Sequence, residues 1–287
     1  YEEHPFGLAA IIVLQGMDWD ADLRARAWLA EAAGYPHYFA RAPNSGLATN
    51  FDLNGDGEFG GPADAQGWGW FLGDGAMALL SRYPIVTEDV QDFATLLWKA
   101  VPGASLPSWN DAPFPSADAL EVQRLSSVAH WVIPIELPGG TRLSILTFHA
   151  SPPVFDRPED RNGLRNADEI RLWSQVLAGE VGIKPDGFVA VLGNANLDPN
   201  AGEGRRDAIQ TLLAHPALQD PQPRGAKGVA TVDWTDPKPG DLRVGYTLPD
   251  TRLDVVASGV IWPDENSPDY PSVATASRHR VVWVDVR

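Results

Sequence analysis

The chain has 287 residues, 44% of them hydrophobic and 21% charged, so it is long enough to bury a core of ordinary size. Its 38 acidic and 22 basic residues give a formal net charge of −16, which opposes contact with nucleic-acid phosphate, and no nucleic-acid partner is expected. Cysteine is absent, which excludes disulfides, thiolate metal sites and a cysteine nucleophile. No run of about 18 apolar residues occurs, so no membrane span is expected.

Hydrophobic patterning and turn residues predict the elements of the first part of the chain. A continuous apolar run predicts a buried strand, and Asp20 caps an amphipathic helix that ends before Gly34. The expected elements are a strand at 8–14, a helix at 21–33, a short strand at 37–40 and a strand at 76–81. The long segment between the last two strands is rich in Gly, Asp and Asn, and such a loop is usually functional or stabilised by an ion.

The second part of the chain alternates strands and helices after a proline-rich irregular stretch. The expected elements are an antiparallel pair at 128–137 and 143–149, a helix at 166–178, a strand at 187–192, a helix at 204–214, and strands at 253–259 and 281–286. Mixed strand and helix order with hairpins favours a two-sheet α/β sandwich over a parallel doubly wound sheet. Since no repeat and no linker is visible, we expect residues 1–287 to form a single domain.

Six segments, in order along the chain, resemble signature segments of the endonuclease/exonuclease/phosphatase superfamily, the metal-dependent phosphoesterases related to DNase I. They read Val-Leu-Gln-Gly-Met-Asp at 13–18, Ala-Met-Ala-Leu-Leu-Ser-Arg-Tyr-Pro-Ile at 76–85, Leu-Thr-Phe-His at 146–149, Val-Leu-Gly-Asn-Ala-Asn-Leu-Asp-Pro at 191–199, Leu-Arg-Val-Gly-Tyr at 242–246 and Ser-Arg-His-Arg-Val-Val-Trp at 277–283. The resemblance implies a DNase I-like fold: a four-layer α/β sandwich of two mixed, largely antiparallel sheets flanked by helices.

The resemblance also implies which residues take part in catalysis. His149, Asn196 and His279 match catalytic positions of the family. In that family a divalent cation stabilises charge on the phosphoryl oxygens, while Asp and His residues handle water and protons.

Four other family positions have lost their acidic residues. The metal-ligand Glu is replaced by Gly16, and Asp residues are replaced by Asn194, Gly245 and Arg278. A hard cation such as Mg²⁺ usually needs at least one carboxylate. The sequence therefore favours a degenerate, catalytically inactive member that acts as a binding or structural subunit. The alternative is an active, Mg²⁺-dependent phosphatase or phosphodiesterase whose site is rebuilt.

The rebuilt site would need carboxylates from unusual positions. Asp18, Asp74 and Asp198 are the nearest candidates by motif. A second possibility is a non-hydrolytic site in which Arg278 and Asn194, beside the histidines, bind a phosphate or carboxylate. A third is that Arg278 pairs with a neighbouring carboxylate and fills an inactive cleft.

The beginning of the chain bears on partners and location. The family usually starts with a strand that carries an Asn metal ligand, whereas only seven residues precede the first predicted strand here. Either that segment has been cleaved or lost, or a protein partner or a second copy supplies a strand to the sheet. The first residue, Tyr1, the absence of cysteine, the acidity and the eleven tryptophans favour a secreted or periplasmic bacterial protein.

An independent motif lies in the long loop. Asp52, Asn54, Asp56 and Glu58 alternate as in a calcium loop of the D-x-N-x-D-G type, and Asp64 lies one residue beyond the position of the last ligand. We expect a structural calcium ion there. The other interpretation is a loop whose Asx side chains only bind their own backbone.

Overall fold

The structure, a computed structural model, describes residues 9–234 and 238–287. The strands are β1 (Ile11–Met17), β2 (His37–Phe39), β3 (Ala76–Ser81), β4 (Gln91–Asp92), β5 (Ser108–Trp109), β6 (Ala112–Pro113), β7 (His130–Leu137), β8 (Thr141–His149), β9 (Phe188–Asn194), β10 (Gly245–Pro249), β11 (Val255–Ile261) and β12 (Val281–Val286). The helices are α1 (Arg24–Ala32), α2 (Ala117–Val122), α3 (Arg161–Ala178), α4 (Asp207–Leu213) and α5 (Tyr270–Ala276).

The strands form a central sheet and outer sheets. The central sheet has the order β10-β9-β8-β7-β4, in which only the β8–β9 pair is parallel. An outer antiparallel sheet has the order β1-β3-β2, and β11 pairs with β12 in a two-stranded sheet. Strand β1 packs on β9 and strand β12 packs on β10, so both outer sheets cover the same side of the central sheet.

Three apolar clusters stack these elements into four layers. One face of the central sheet packs against α3 and α4 through residues such as Phe148, Trp173 and Ile209. The other face packs against the β1-β3-β2 sheet, with Trp131 among the buried residues. The far side of that outer sheet is covered by α1, where Leu80 meets Ala30. The predicted four-layer α/β sandwich with largely antiparallel sheets is confirmed.

A buried polar face of α3 fixes the loops above the central sheet. Glu169 is fully buried, and its Oε1 accepts hydrogen bonds from the backbone N (2.6 Å) and Oγ (2.7 Å) of Ser127. Its Oε2 accepts from the backbone N and Oγ of Ser151, both at 2.7 Å. Asn166 donates through Nδ2 to the carbonyls of Ser151 and Ala195, both at 2.7 Å. Helix α3 thus joins the segments that follow β8 and β9.

Arg165 extends this network to the long loop. Its guanidinium is buried and donates to the carbonyl oxygens of Leu125 (2.8 Å, from Nε) and Gln66 (2.6 Å, from Nη2). Burial lowers the pKa of Arg165, and the nearby charge of Glu169 opposes that shift. Burial likewise raises the pKa of Glu169, and the positive charge of Arg165 opposes it. Arg165 and Asn166 therefore hold backbone groups of this chain.

Two predicted boundaries moved for identifiable reasons. Strand β1 covers Ile11–Met17 instead of 8–14, because Gly16 adopts φ +74° and forms a bulge that lets pairing with β3 continue to Met17. Leu8 lies outside the described residues. Helix α3 begins five residues before the predicted start, since its first turn carries polar residues without apolar periodicity. Asp156 caps that turn by accepting from the backbone N of Asn162 at 2.6 Å.

Several short elements were not predicted. They are strands β4, β5, β6 and β10 and helices α2 and α5. Helix α2 has a recognisable start, because Ser116 accepts a hydrogen bond from the backbone N of Ala119 at 3.1 Å. In the part of the chain that the structure describes, no helix is both long and apolar enough to cross a membrane. The single-domain expectation stays a prediction.

Candidate functional site

Three neighbouring strands of the central sheet place His149, Asn194 and Gly245 side by side. These three residues are called the row, and the space beside them is called the cleft. His149 ends β8 and lies beside Asn194, which ends the parallel strand β9. Asn194 in turn lies opposite Gly245, the first residue of β10. The family positions predicted from three separate motifs are therefore adjacent in space. The turn after β9 adds Asn196, which adopts φ +50°.

The side chain of Asn194 is fully engaged by its neighbours. Its Oδ1 accepts from the backbone N of Asn196 at 2.9 Å, which fixes the orientation of the amide. Its Nδ2 donates to Oδ1 of Asn196 and to Nε2 of His149, both at 3.1 Å. Because Nε2 accepts, the neutral ring of His149 carries its proton on Nδ1. Asn196 is held from the other side by its own hydrogen bond to the carbonyl of Ala150 at 2.8 Å.

His149 is neutral over the physiological pH range. Burial, together with the nearby charge of His279, lowers the pKa of its imidazole to about 4. Its Nδ1 is buried without a hydrogen-bond partner among the described residues. Protonation would place an N–H on Nε2 against the donor Nδ2 of Asn194, so the charged form would lose hydration and gain no acceptor in exchange.

His279 and Arg278 approach the row from the segment before β12. The backbone of His279 forms an isolated bridge with Val232, and its ring meets that of Trp234 edge to face at 6.0 Å between centroids. Desolvation and the nearby charge of Arg280 lower the pKa of His279. The side chain of Arg278 is exposed to solvent.

Strand β1 places Gly16, the last of the four altered family positions, beside the same row. Gln15 donates through Nε2 to the carbonyl of Phe148 at 2.6 Å, next to His149. Gly16 follows directly, and a Cβ built there would meet no atom within 4 Å. The position of the family's metal-ligand Glu is thus open space in this chain.

The three carboxylates proposed for a rebuilt site are all bonded to backbone amides. Asp18 accepts from the N of Gly75 (3.2 Å) and Asp74 from the N of Trp70 (2.9 Å). Asp198 is buried and accepts three N–H groups: those of Asn200 (2.7 Å) and Ala201 (2.9 Å) through Oδ1, and that of Arg243 (2.7 Å) through Oδ2. These aspartates stabilise turns around the cleft.

The donor set of the cleft does not fit the family's Mg²⁺. The groups brought together are a neutral imidazole and two amides, whereas a hard divalent cation takes oxygen ligands that usually include a carboxylate. Across residues 9–234 and 238–287, no three His, Asp or Glu side chains are grouped closely enough to hold a metal ion, either in the cleft or in the predicted calcium loop.

The predicted calcium loop lies apart from this row. Asp52 accepts the backbone N–H groups of Gly55 (2.5 Å) and Gly57 (2.9 Å). Asn54 and Asp56 each accept the N–H two residues later, at 3.1 and 2.8 Å, and the amide of Asn54 donates to Asp56 at 2.8 Å.

The last predicted ligand, Asp64, is 3% exposed. It accepts from the backbone N of Leu53 at 2.9 Å, which brings it beside the loop. Glu58, the other acidic residue of the motif, is exposed.

Two contributors to the cleft were missed by sequence reasoning. Gln15 precedes the altered Gly16, and Thr231 accepts from the N–H groups of Val244 and Gly245 through Oγ1, both at 2.9 Å. Gln15 sits inside a recognised motif, so its polar side chain in an apolar strand was a usable signal. Thr231 lies in an irregular segment with no motif around it.

Comparison with known proteins agrees with this geometry. The profile of the Endonuclease/Exonuclease/phosphatase family matches residues 3–279. A search of curated proteins finds no match.

Solved structures with similar folds include an endonuclease/exonuclease/phosphatase from Beutenbergia cavernae, at 18% identity and a TM-score of 0.59, covering 98% of this chain and 63% of that one. A family protein from Leptotrichia buccalis has 16% identity and a TM-score of 0.54, with 97% and 87% covered. A beta toxin from Staphylococcus aureus has 12% identity and a TM-score of 0.53, with 100% and 90% covered. This chain thus spans less than two thirds of the first of these structures, and the likeness supports the fold alone.

The Asn194–His149 contact predicts a change in proton affinity. Asn194→Asp places a carboxylate against Nε2, which then holds a proton, and an opposite charge at this distance raises a histidine pKa by about 1 to 3. NMR titration of the His149 ring should show its pKa rising from about 4. Asn200→Asp, which adds the same charge on an exposed side chain, should leave the His149 pKa nearly unchanged. Equal shifts in both variants would contradict the assigned contact.

Proposed function

We propose that this chain, which belongs to the endonuclease/exonuclease/phosphatase family, does not hydrolyse phosphoesters by the family's metal mechanism and acts as an exported binding or structural protein. The observation that carries the proposal is the hydrogen bond from Asn194 Nδ2 to His149 Nε2. A general base needs a free lone pair aimed at the proton that it removes. In His149 the Nε2 lone pair faces an amide of the same chain, and Nδ1 is buried.

The charge of the cleft supports the same proposal. Catalysis of phosphoryl transfer relies on fixed positive charge, usually a metal, against the phosphoryl oxygens. In the family resemblance Gly16 replaces a metal-ligand Glu, and Asn194 and Gly245 replace Asp residues, so none of the three carries charge. Arg278 replaces a further Asp, and its guanidinium suits a phosphate or carboxylate that is bound without being cleaved. Both N–H groups of Asn194 are already used, so Arg278 is the proposed anion contact.

Export is a further part of the proposal. It is supported by the absence of cysteine and the net charge of −16. Fractionation of the source cells, with immunodetection of the chain, tests it: recovery in the cytoplasmic fraction would contradict export.

A hydrolysis assay tests the proposed lack of catalysis. Purified protein is incubated with bis-p-nitrophenyl phosphate and p-nitrophenyl phosphate in Mg²⁺, Mn²⁺ or Ca²⁺, beside His149→Ala. Because no free base and no metal-binding carboxylate is expected, both proteins should release nitrophenol at the same background rate. Metal-dependent turnover that disappears in His149→Ala would overturn the proposal and support a rebuilt active site.

A variant that restores the family residues supplies the positive control. It combines Gly16→Glu, Asn194→Asp, Gly245→Asp and Arg278→Asp. The new side chains have room, since a Cβ at Gly16 meets nothing within 4 Å and one at Gly245 meets its nearest atoms at 3.6 Å. A non-glycine residue at the φ of Gly16 costs about 1–2 kcal/mol, which a folded domain can absorb. Mg²⁺ binding by this variant and not by the wild type identifies the lost ligands.

Calcium binding by the Asp52–Glu58 loop is proposed as a structural property. It is supported by the charged state of Asp56, whose pKa is lowered by hydrogen bonds from the backbone of Glu58 and the side chain of Asn54. Thermal unfolding should shift upward in CaCl₂ relative to EDTA, because an ion that binds only the folded state at 100 times its Kd adds about 2.7 kcal/mol. Asp56→Asn should remove the shift, and Asp285→Asn, an exposed carboxylate in β12, should keep it. No shift in the wild type, or one retained by Asp56→Asn, would disprove the site.

A partner strand is proposed for the outer sheets. Within the described residues β1 pairs only with β3 and β12 only with β11, while both lie over adjacent strands of the central sheet. Light scattering should therefore give a mass above the 31.1 kDa of one chain, or reveal a co-purifying protein. Val281→Lys on β12 should abolish the association, because a charge blunts a strand edge. Val256→Lys on β11 changes a similarly exposed valine and should leave the association intact. A monomer at all concentrations and without a partner would contradict this.

A further inference from the structure

The loop at 43–75, called here the aromatic loop, is anchored rigidly to the rest of the chain. The buried side chain of Asn44 donates to the carbonyls of Ala94 (2.7 Å) and Ser126 (2.8 Å). Gly67 is packed so closely that a Cβ would lie 1.7 Å from the carbonyl oxygen of Ser127. Backbone hydrogen bonds then tie the start of the loop to its end, as from Gly46 N to the carbonyl of Gly67 at 2.8 Å. The loop is thus a preorganised surface.

This rigid loop holds large apolar side chains in water. Phe59, Trp68, Trp70, Phe71 and Leu72 are exposed by 70, 60, 74, 51 and 41%. The rings of Trp68 and Trp70 meet edge to face, with centroids 6.0 Å apart, so each keeps a broad indole face free. Large apolar side chains exposed together on one rigid loop are typical of a binding surface.

A small concave site adjoins this patch. It has a volume of about 180 Å³ and is bordered by Trp70, Thr49, Asp64, Gly60 and Gly61. Pockets that enclose drug-sized molecules measure about 300–1,000 Å³, so this one suits a single ring. Its borders offer one indole and the backbone of Gly60 and Gly61. The N–H of Gly61 donates to Oδ2 of Asp64 at 3.4 Å, and its carbonyl accepts from the N of Asp64 at 3.0 Å, which leaves that carbonyl a second lone pair. An aromatic face beside hydrogen-bonding groups suits a ligand that has an apolar face and a hydroxylated edge.

The charges of the loop select against anions. It contains five acidic residues and no Lys, Arg or His, in a chain of net charge −16, so phosphate groups, nucleic acids and anionic membranes are repelled. Among the acidic residues of the loop, Asp64 borders the concave site, where it accepts from the backbone N of Leu53 at 2.9 Å. An anion is therefore disfavoured, and a neutral ligand needs no compensating charge.

We propose that the aromatic loop is a carbohydrate-binding site that takes one neutral pyranose residue of a glycan, stacked on the indole of Trp70. The C–H face of the sugar packs on the aromatic ring, and its hydroxyl groups exchange hydrogen bonds with backbone groups at Gly60 and Gly61. Adjacent sugar residues extend toward Trp68. The residues that border this site differ from those of the His149 row, so the proposal does not depend on whether that row is catalytic.

The test measures binding of a panel of oligosaccharides by calorimetry and tryptophan fluorescence. Neutral hexamers of β-1,4-glucose, α-1,4-glucose, β-1,4-mannose and β-1,4-N-acetylglucosamine are compared with hexagalacturonate, which has the same size and carries charge. At least one neutral hexamer should bind saturably, and the charged hexamer should not. Trp70→Ala should weaken binding at least tenfold, whereas Trp28→Ala, a tryptophan of similar exposure (69%) on α1, should change it less than twofold.

A second variant fills the site without touching the tryptophans. Gly61 has φ −78° and ψ 171°, an extended conformation open to β-branched residues, and a Cβ there meets nothing within 4 Å. Gly61→Val should abolish binding while circular dichroism remains that of the folded protein.

Three results would overturn the proposal. One is that no neutral hexamer binds at up to about 10 mM, a limit of roughly −3 kcal/mol. Another is binding that is unchanged by both Trp70→Ala and Gly61→Val. The third is that Trp70→Ala instead dissociates a complex of two copies on gel filtration, which would assign the patch to a protein interface.

Discussion

The carboxylate of Glu169 is the constraint on which the surrounding structure depends. A fully buried charge is strongly unfavourable unless donors surround it, and here four donors from Ser127 and Ser151 do so, with Arg165 one turn away. Loss of one partner from such a group costs about 3–5 kcal/mol, a large part of the stability of a domain. Ser127 lies just before β7 and Ser151 just after β8. The carboxylate therefore fixes the segments that border the candidate cleft.

The residues that support the fold around the cleft are therefore different from the residues that are altered within it. Asn166 on the same helix holds the carbonyl of Ala195, between the two asparagines of the row, so α3 positions the turn that follows β9. The altered positions Gly16 and Gly245 do not help to hold this turn. A Cβ at Gly16 would meet no atom within 4 Å, and a Cβ at Gly245 would make only ordinary van der Waals contacts. The family fold can thus be kept while the acidic residues of its site are lost.

Sequence patterns predicted the elements well where apolar periodicity was complete, and the bounds of β3 and β12 agree with the structure. They failed where a single backbone angle or a polar first turn decided the outcome, as at Gly16 and at the start of α3. The family motifs correctly brought His149 and Asn194 together. No pattern revealed which lone pair of His149 is used, because that depends on the backbone N–H of Asn196 orienting a neighbouring amide.

The neutral composition of the cleft has a consequence for stability. Two carboxylates about 4 Å apart repel each other by about 4 kcal/mol at the effective dielectric constant of a protein surface, so a cluster of them relies on a bound cation. Under the proposed function, replacement by an amide and glycines removes that repulsion. The same replacement makes Arg278 compatible with the site, since no metal charge opposes it. Once the acidic residues are gone, restoring one of them alone recreates part of the repulsion without recreating the metal site.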